Sequence, residues 1–232
     1  MMTNVFIISA PSGSGKSTLV NEIRQTVPNL SFSISYTTRK ERGHEQNGRE
    51  YFFISRTQFE EMIRNQEFLE HATVFETDYY GTALRFLKQA KEEGHDLLLD
   101  IDVQGAAQIK HKIPDAVSIF ILPPNRTELE KRLRERGQDS EEKIQRRLET
   151  ASREIENYCK YDYILVNDRL EDSIEALKSI LLAERLKRSG AQTSADDANL
   201  MAKAERCRLY NVRERLQPIL ASFENAAAPG GR

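Results

Sequence analysis

The stretch Val5-Phe6-Ile7-Ile8-Ser9-Ala10-Pro11-Ser12-Gly13-Ser14-Gly15-Lys16-Ser17-Thr18 decides the fold. It reads as a short apolar strand, a glycine loop, then a lysine and a hydroxyl residue opening a helix. The glycines let successive backbone N–H groups turn inward around an anion. The helix that starts near Lys16 aims its unsatisfied donors and positive dipole end at the same point. Ala10 to Thr18 is therefore a phosphate cradle for a nucleoside triphosphate, in which Lys16 reaches the β- and γ-phosphates and Ser17 Oγ can hold a bridging Mg²⁺. Ala10 replaces the first glycine of the G-x-x-x-x-G-K-[ST] pattern; the rest of the pattern is intact.

Apolar runs at Val5 to Ser9, Asp96 to Ile101, Ala116 to Leu122 and Tyr163 to Val166 alternate with segments of helical spacing, which predicts an α/β fold with a parallel sheet flanked by helices. Capping-box patterns mark helix starts at Thr57 with Glu60, Asn125 with Glu128, Asp139 with Glu142 and Asp168 with Glu171. From about Leu30 to Tyr80 the alternation gives way to short β-like pieces, Phe32 to Ser35, Tyr51 to Ile54 and Phe68 to Val74, around one helix near Thr57 to Asn65. This predicts a small α+β insertion. Its polar loop Thr37 to Arg49 is glycine-punctuated and suits a mobile substrate clamp.

Arg126 to Arg153 is helical and arginine-rich around Gly137, the composition of a closing lid. Most charges of such a run are a solvated face, and Arg134 and Arg146 are expected to be among them. The expected division is a domain at 1–186 (core about 1–30, 83–125 and 160–186; insertion about 31–82; lid about 126–159), a linker at 187–199, and a helical extension at 200–232 with a frayed end. In the extension Met201, Ala204, Leu209, Val212, Leu216, Ile219, Leu220 and Phe223 form one apolar stripe. The stripe must bury against this domain or a second subunit; a homo-oligomer contact is the expectation here.

The 34 basic and 36 acidic residues leave a net charge of −2, which argues against a broadly basic nucleic-acid surface. Two cysteines, Cys159 and Cys207, are too few for a disulfide framework or a cysteine zinc site, and the four histidines lack metal-ligand spacing. No apolar run approaches the length of a membrane span, and the N-terminus lacks a signal-peptide pattern. The expectation is a cytoplasmic protein with no membrane partner. Asp96, at a strand start, is expected to be a plain surface residue.

A phosphate cradle alone serves kinases, motors and switches alike. The remaining motifs choose among them: Ser33-Ile34-Ser35-Tyr36-Thr37-Thr38-Arg39-Lys40-Glu41-Arg42, Gly48-Arg49-Glu50-Tyr51-Phe52-Phe53, Glu67-Phe68-Leu69-Glu70-His71-Ala72, Tyr79-Tyr80-Gly81-Thr82, and Leu99-Asp100-Ile101-Asp102-Val103-Gln104-Gly105. Together, in one register from about Val5 to Leu186, they resemble guanylate kinase. The resemblance implies transfer of the γ-phosphoryl group of ATP to GMP, with Mg²⁺.

By that register, Glu70 matches the family's guanine-binding glutamate and Ser35 its partner serine. Thr82 keeps a hydroxyl where a serine is common. Chemically, a carboxylate accepts from guanine N1–H and the 2-amino group and repels the bare N1 of adenine. Arg39 and Arg42 match the phosphate clamp, with Tyr51 and Tyr80 as hydroxyl donors; guanidinium forks suit phosphate oxygens. Asp100 and Asp102 are candidates for the metal, through water, or for the substrate nucleotide, and the neighbours leave open which serves which. Arg132, Arg136 and Arg147 match lid arginines that close on the phosphates beside the catalytic Lys16, and Asn167 and Asp168 match the strand end near the adenine ring. The rival readings are a P-loop kinase acting on another acceptor and a catalytically dead scaffold. The intact Gly15-Lys16-Ser17 argues against the scaffold.

Overall fold

The computed structural model describes residues 3–74, 78–135, 137, 140–190 and 194–224. They divide into two compact units, one comprising the chain up to Ile8 with Val27–Val117, the other Ser9–Thr26 with the chain from Ser118 onward.

In the first unit the fully buried strand β1 (Val5–Ser9) lends Val5 to Ile8 to parallel pairing with β7 (Asp96–Asp100), Val5 opposite Leu97 and Ile8 opposite Asp100. β2 (Leu30–Ser33) pairs parallel with the other edge of β7, Leu30 opposite Asp96. The piece expected at Phe32 to Ser35 within the insertion is thus a strand of the parallel set, shifted toward the N-terminus. It is covered by α3 (Leu84–Glu93), which ends in a left-handed Gly94.

A second, four-stranded sheet follows the order β4-β3-β6-β5, from β3 (Tyr36–Thr37), β4 (Phe52–Phe53), β5 (Phe68–Val74) and β6 (Asp78–Ala83). Its β5–β6 pair is antiparallel, with Glu70 opposite Thr82. α2 (Arg56–Arg64) packs here through Phe59, fully buried and stacked on Phe68 and Tyr79. Its capping box uses Ser55 and Gln58, not Thr57 and Glu60, because Ser55 holds the extended backbone that an N-cap requires. α4 (Val103–Lys112) completes the unit, with Asp102 as N-cap accepting from Gln104 N and Gly105 N.

The surface role expected of Asp96 is incorrect. Its side chain is buried and accepts from both the backbone N–H and the amide Nδ2 of Asn4, each at 2.8 Å. Asp96→Ala leaves two buried donors without a partner, and the expected cost is about 1–3 kcal/mol. Urea denaturation would read this as a lower midpoint at unchanged slope.

In the second unit α1 (Lys16–Thr26) buries Leu19, Val20 and Ile23 and packs on α7 (Leu170–Ser189). The buried strand β8 (Val117–Leu122) pairs parallel with β9 (Tyr163–Val166), Ile119 opposite Tyr163. The arginine-rich stretch is α5 (Arg126–Glu135) and α6 (Glu141–Ile155), with Gly137 in the left-handed region between them. The cap at Asn125 forms, its Oδ1 accepting from Glu128 N at 2.8 Å. That expected at Asp139 lies outside the described residues. α7 begins one residue later than Asp168 predicts, with Arg169 as a cap that makes no side-chain bond.

Of the expected linker at 187–199, residues 187–189 and 195–199 are helical, and 191–193 lie outside the described residues. α7 runs to Ser189 and stops at a left-handed Gly190, and α8 (Ala195–Glu205) starts at a Ser194–Asp197 capping box. α9 (Leu209–Glu224) follows. Half of the apolar stripe, Ala204, Val212, Leu216 and Phe223, is buried within its own unit, with α9 packed on α5, α6 and β9, while Met201, Leu209, Ile219 and Leu220 are half-buried. Polar contacts fasten it: Ile164 N donates to Cys207 O at 2.8 Å, Arg126 N to Ser222 Oγ at 3.1 Å, and Arg208 bridges to Glu184 at 2.8 Å while lying over the Tyr163 ring. The buried half of the stripe is thus covered by this domain rather than by a second copy of the chain. Among the described residues no helix is long and apolar enough to cross a membrane.

Candidate active site

The candidate residues fall into two sets, one within each unit. In the second unit the chain leaves the buried Ser9 of β1, turns through the half-buried Ala10, buried Pro11 and exposed Ser12, and closes with Ser14 N donating to Pro11 O at 3.1 Å. Gly13 and Gly15 take φ of +95° and +87°, the left-handed region in which side chains are strained. A Cβ on Gly13 would also stand 2.8 Å from Leu129, and one on Gly15 would fall on the Asn167 amide. Lys16 opens α1, and Ser17 and Thr18 are exposed in its first turn.

Asn167 is buried and donates from Nδ2 to Ser14 O at 2.8 Å, locking the strand end to the loop. Arg132 donates from Nη1 to Asn167 O at 3.0 Å and from Nε to Glu128 at 3.0 Å. A cleft of about 370 Å³ is lined by Gly13, Gly15, Thr18, Arg132, Asn167 and Asp168, with Glu135 and Leu170. The loop, one lid arginine and the Asn167-Asp168 strand end are thus together. Arg147 lies half-buried on α6 outside that lining, and Arg136 lies outside the described residues. Arg134 is paired with Glu130 at 2.7 Å and Glu141 at 2.5 Å on the exposed face.

Gly15→Ala combines a strained φ with a collision against the amide that fastens the loop. We expect the Michaelis constant for ATP to rise by about 5- to 150-fold, the equivalent of about 1–3 kcal/mol of backbone strain. Steady-state kinetics with varied ATP would check it.

In the first unit the edge strand β5 carries Glu70, which is 4% exposed. Burial pushes its carboxyl up to about 7; the nearby Asp102 charge adds to the rise, while Thr82 and Lys112 oppose it. Across the ladder the Thr82 hydroxyl is fully buried and its Oγ1 has no hydrogen-bond partner. Ser35 is buried and its carbonyl receives Phe52 N at 2.9 Å.

Arg39 is buried in an aromatic box, its guanidinium 4.9 Å from the centre of the Tyr51 ring and donating to Tyr80 Oη at 3.0 Å. Its fork is taken by Glu45 through two bonds of 2.6 Å, which hold the Glu45 carboxyl below the usual carboxylate range. Arg42 is exposed, and its backbone N–H donates to the same carboxylate at 2.9 Å. A carboxylate in a guanidinium fork has the shape and charge of part of a phosphate. Sequence reading missed Glu45 because a glutamate in a polar loop carries no signal of its own.

Asp100 closes β7 opposite Ile8, half-buried. Asp102 is engaged as the N-cap of α4, a structural task that the sequence reading did not foresee. Also missed was Gly105, in the first turn of α4: a Cβ there would stand 2.6 Å from Glu70 Oε2.

The family model described as "Guanylate kinase" matches residues 2–184. The guanylate kinase of Koribacter versatilis is 56% identical over 232 residues, covering 99% of each chain. That of Yersinia pestis is 50% identical over 196 residues, covering 84% of this chain and 94% of that kinase. Among solved structures, the guanylate kinase of Anaplasma phagocytophilum superposes with a TM-score of 0.66 at 34% identity, over 79% of this chain and 87% of that one.

Proposed function

Because the chain belongs to the guanylate kinase family, and is an ATP:GMP phosphotransferase, we propose that its two units divide the substrates. The second unit takes ATP and the first takes GMP. In the first, Glu70 accepts from guanine N1–H and the 2-amino group, and Ser35 and the unpartnered Thr82 hydroxyl serve the remaining polar edge. The observation that carries this reading is a buried carboxylate facing a buried hydroxyl that has no partner. A buried hydroxyl is costly when unpaired, and a base edge that meets it relieves that cost.

Arg39, Arg42, Tyr51 and Tyr80 are assigned to the GMP phosphate, for which Glu45 stands in when GMP is absent. Gly13 to Thr18 wrap the ATP phosphates, with Asn167 and Asp168 at the adenine end and Arg132, Arg136 and Arg147 supplied by the lid. Transfer spreads charge over the moving phosphoryl oxygens, so the chain's work is positioning and electrostatic stabilisation rather than proton transfer. Lys16 holds the terminal phosphates, and closing helices exclude water that would otherwise hydrolyse ATP.

Mg²⁺ fits the donors present. Ser17 offers an exposed hard oxygen, and among the described residues no cluster of His, Cys, Asp or Glu could hold a metal by itself. A small cation that keeps its waters and binds largely through substrate phosphates suits that arrangement. When bound, it neutralises charge on the β- and γ-oxygens. Asp100 is assigned to water on that ion or to the GMP nucleotide. The reaction is assigned to the cytoplasm.

The test is ADP formation with ATP and Mg²⁺, adding GMP, AMP, UMP or dTMP in turn. Turnover with GMP alone supports the assignment. Equal turnover with AMP would remove Glu70 as the base-reading group.

A further inference from the structure

β5 is the edge strand of its sheet, so among the described residues the backbone groups facing away from β6 have no strand partner. α4 supplies one. The Gln108 side-chain amide makes two bonds to His71: its Oε1 accepts from His71 N at 3.3 Å, and its Nε2 donates to His71 O at 2.7 Å. One helical turn on, Lys112 Nζ donates to Leu69 O at 2.6 Å. The two side chains grip the residues immediately before and after Glu70. At the helix start, Gly105 offers no side chain where the Glu70 carboxylate lies.

We propose that Gln108, through its paired bonds to the His71 backbone, is a positioning residue for guanine recognition, setting the depth at which Glu70 meets the base. This rests on Glu70 reading the guanine edge. A primary amide can replace both the N–H and the C=O that a neighbouring strand would present, which fixes the strand's distance from the helix as well as its lateral register. Without that pair of bonds, α4 grips this part of β5 through Lys112 alone, on the other side of Glu70. Glu70 then loses its fixed distance to the two base donors, and hydrogen-bond strength falls steeply with misalignment. ATP binds in the other unit and is not expected to respond.

The test is a double-mutant cycle read with GMP and with IMP, which lacks the 2-amino group. Gln108→Ala should lower kcat/KM for GMP by about tenfold, shrink the GMP-to-IMP preference, and leave KM for ATP unchanged. In a Glu70→Ala background it should change neither, since the carboxylate it positions is gone. Gln108→Glu keeps the acceptor and the length but cannot donate to His71 O; it should shrink the preference too, and serves should the alanine variant fail to fold. An unchanged preference in folded Gln108 variants, where Glu70→Ala does abolish it, would overturn the positioning role alone. An equal loss in the Glu70→Ala background would do the same. If Glu70→Ala itself keeps the preference, both the base reading and the positioning role fall.

Discussion

Lys16→Ala is expected to lower kcat by about 10²–10³-fold while GMP binding is retained, the usual result of removing one fixed donor from a site where charge develops in the transition state. The position follows from the local structure. The left-handed Gly13 and Gly15 turn the chain so that α1 begins at Lys16, which places the lysine at a helix N-terminus, where a phosphate is favoured. Its ammonium acts as a point charge on the terminal phosphates, so Lys16→Arg, which keeps the charge on a longer and broader group, should recover only a fraction of the rate. Single-turnover measurement of ADP formation, paired with equilibrium binding of GMP, separates lost chemistry from lost binding. A Lys16→Ala protein that turns over within threefold of the parent would remove Lys16 from the catalytic machinery.

What the sequence disclosed and what it concealed divide along local and non-local physics. Val5 to Ser9 and Tyr163 to Val166 could be read to the residue because strands buried along most of their length are near-continuous apolar runs. The phosphate loop was legible because its glycines, lysine and hydroxyl act through neighbours in the chain. Asp96 was misread because its partner, Asn4, lies just before β1, far away in the chain. The stripe from Met201 to Phe223 was legible as a stripe but not as to what covers it; the covering helices and strand lie earlier in the chain. Glu70 is the instructive case. Its neighbours suggest an exposed carboxylate, and only pairing with β6 and the approach of Gly105 and Gln108 from α4 make it buried. Family register pointed to the residue, while the physical reason for its character lies in contacts that no local pattern records.

That character makes Glu70 the source of a pH dependence whose sign can be worked out. Its carboxyl is raised from 4.5 to about 7 by burial. The folded chain therefore holds a proton that the unfolded chain has lost between those values. The resulting stability is fully present below pH 4.5 and is lost as pH rises through about 7. Glu70→Gln should abolish this slope, and at pH 8 the variant should exceed the parent by up to about 3 kcal/mol, less whatever the new amide fails to pair. Catalysis should move the opposite way. Guanine's two donors need the ionised carboxylate, so KM for GMP should rise by up to tenfold for each unit that pH falls below 7. The GMP phosphate titrates near 6 as well, and Glu70→Gln separates the two, because only the phosphate contribution survives in it. With two charge-assisted bonds weakened, kcat/KM for GMP in Glu70→Ala should fall about 10²–10⁴-fold at pH 8, with KM for ATP little changed. Denaturation and steady-state kinetics across pH 5 to 9 on the parent and both variants test the two slopes together. A parent whose KM for GMP follows the same pH curve as Glu70→Gln would show that Glu70 does not titrate at the base, however deeply it is buried.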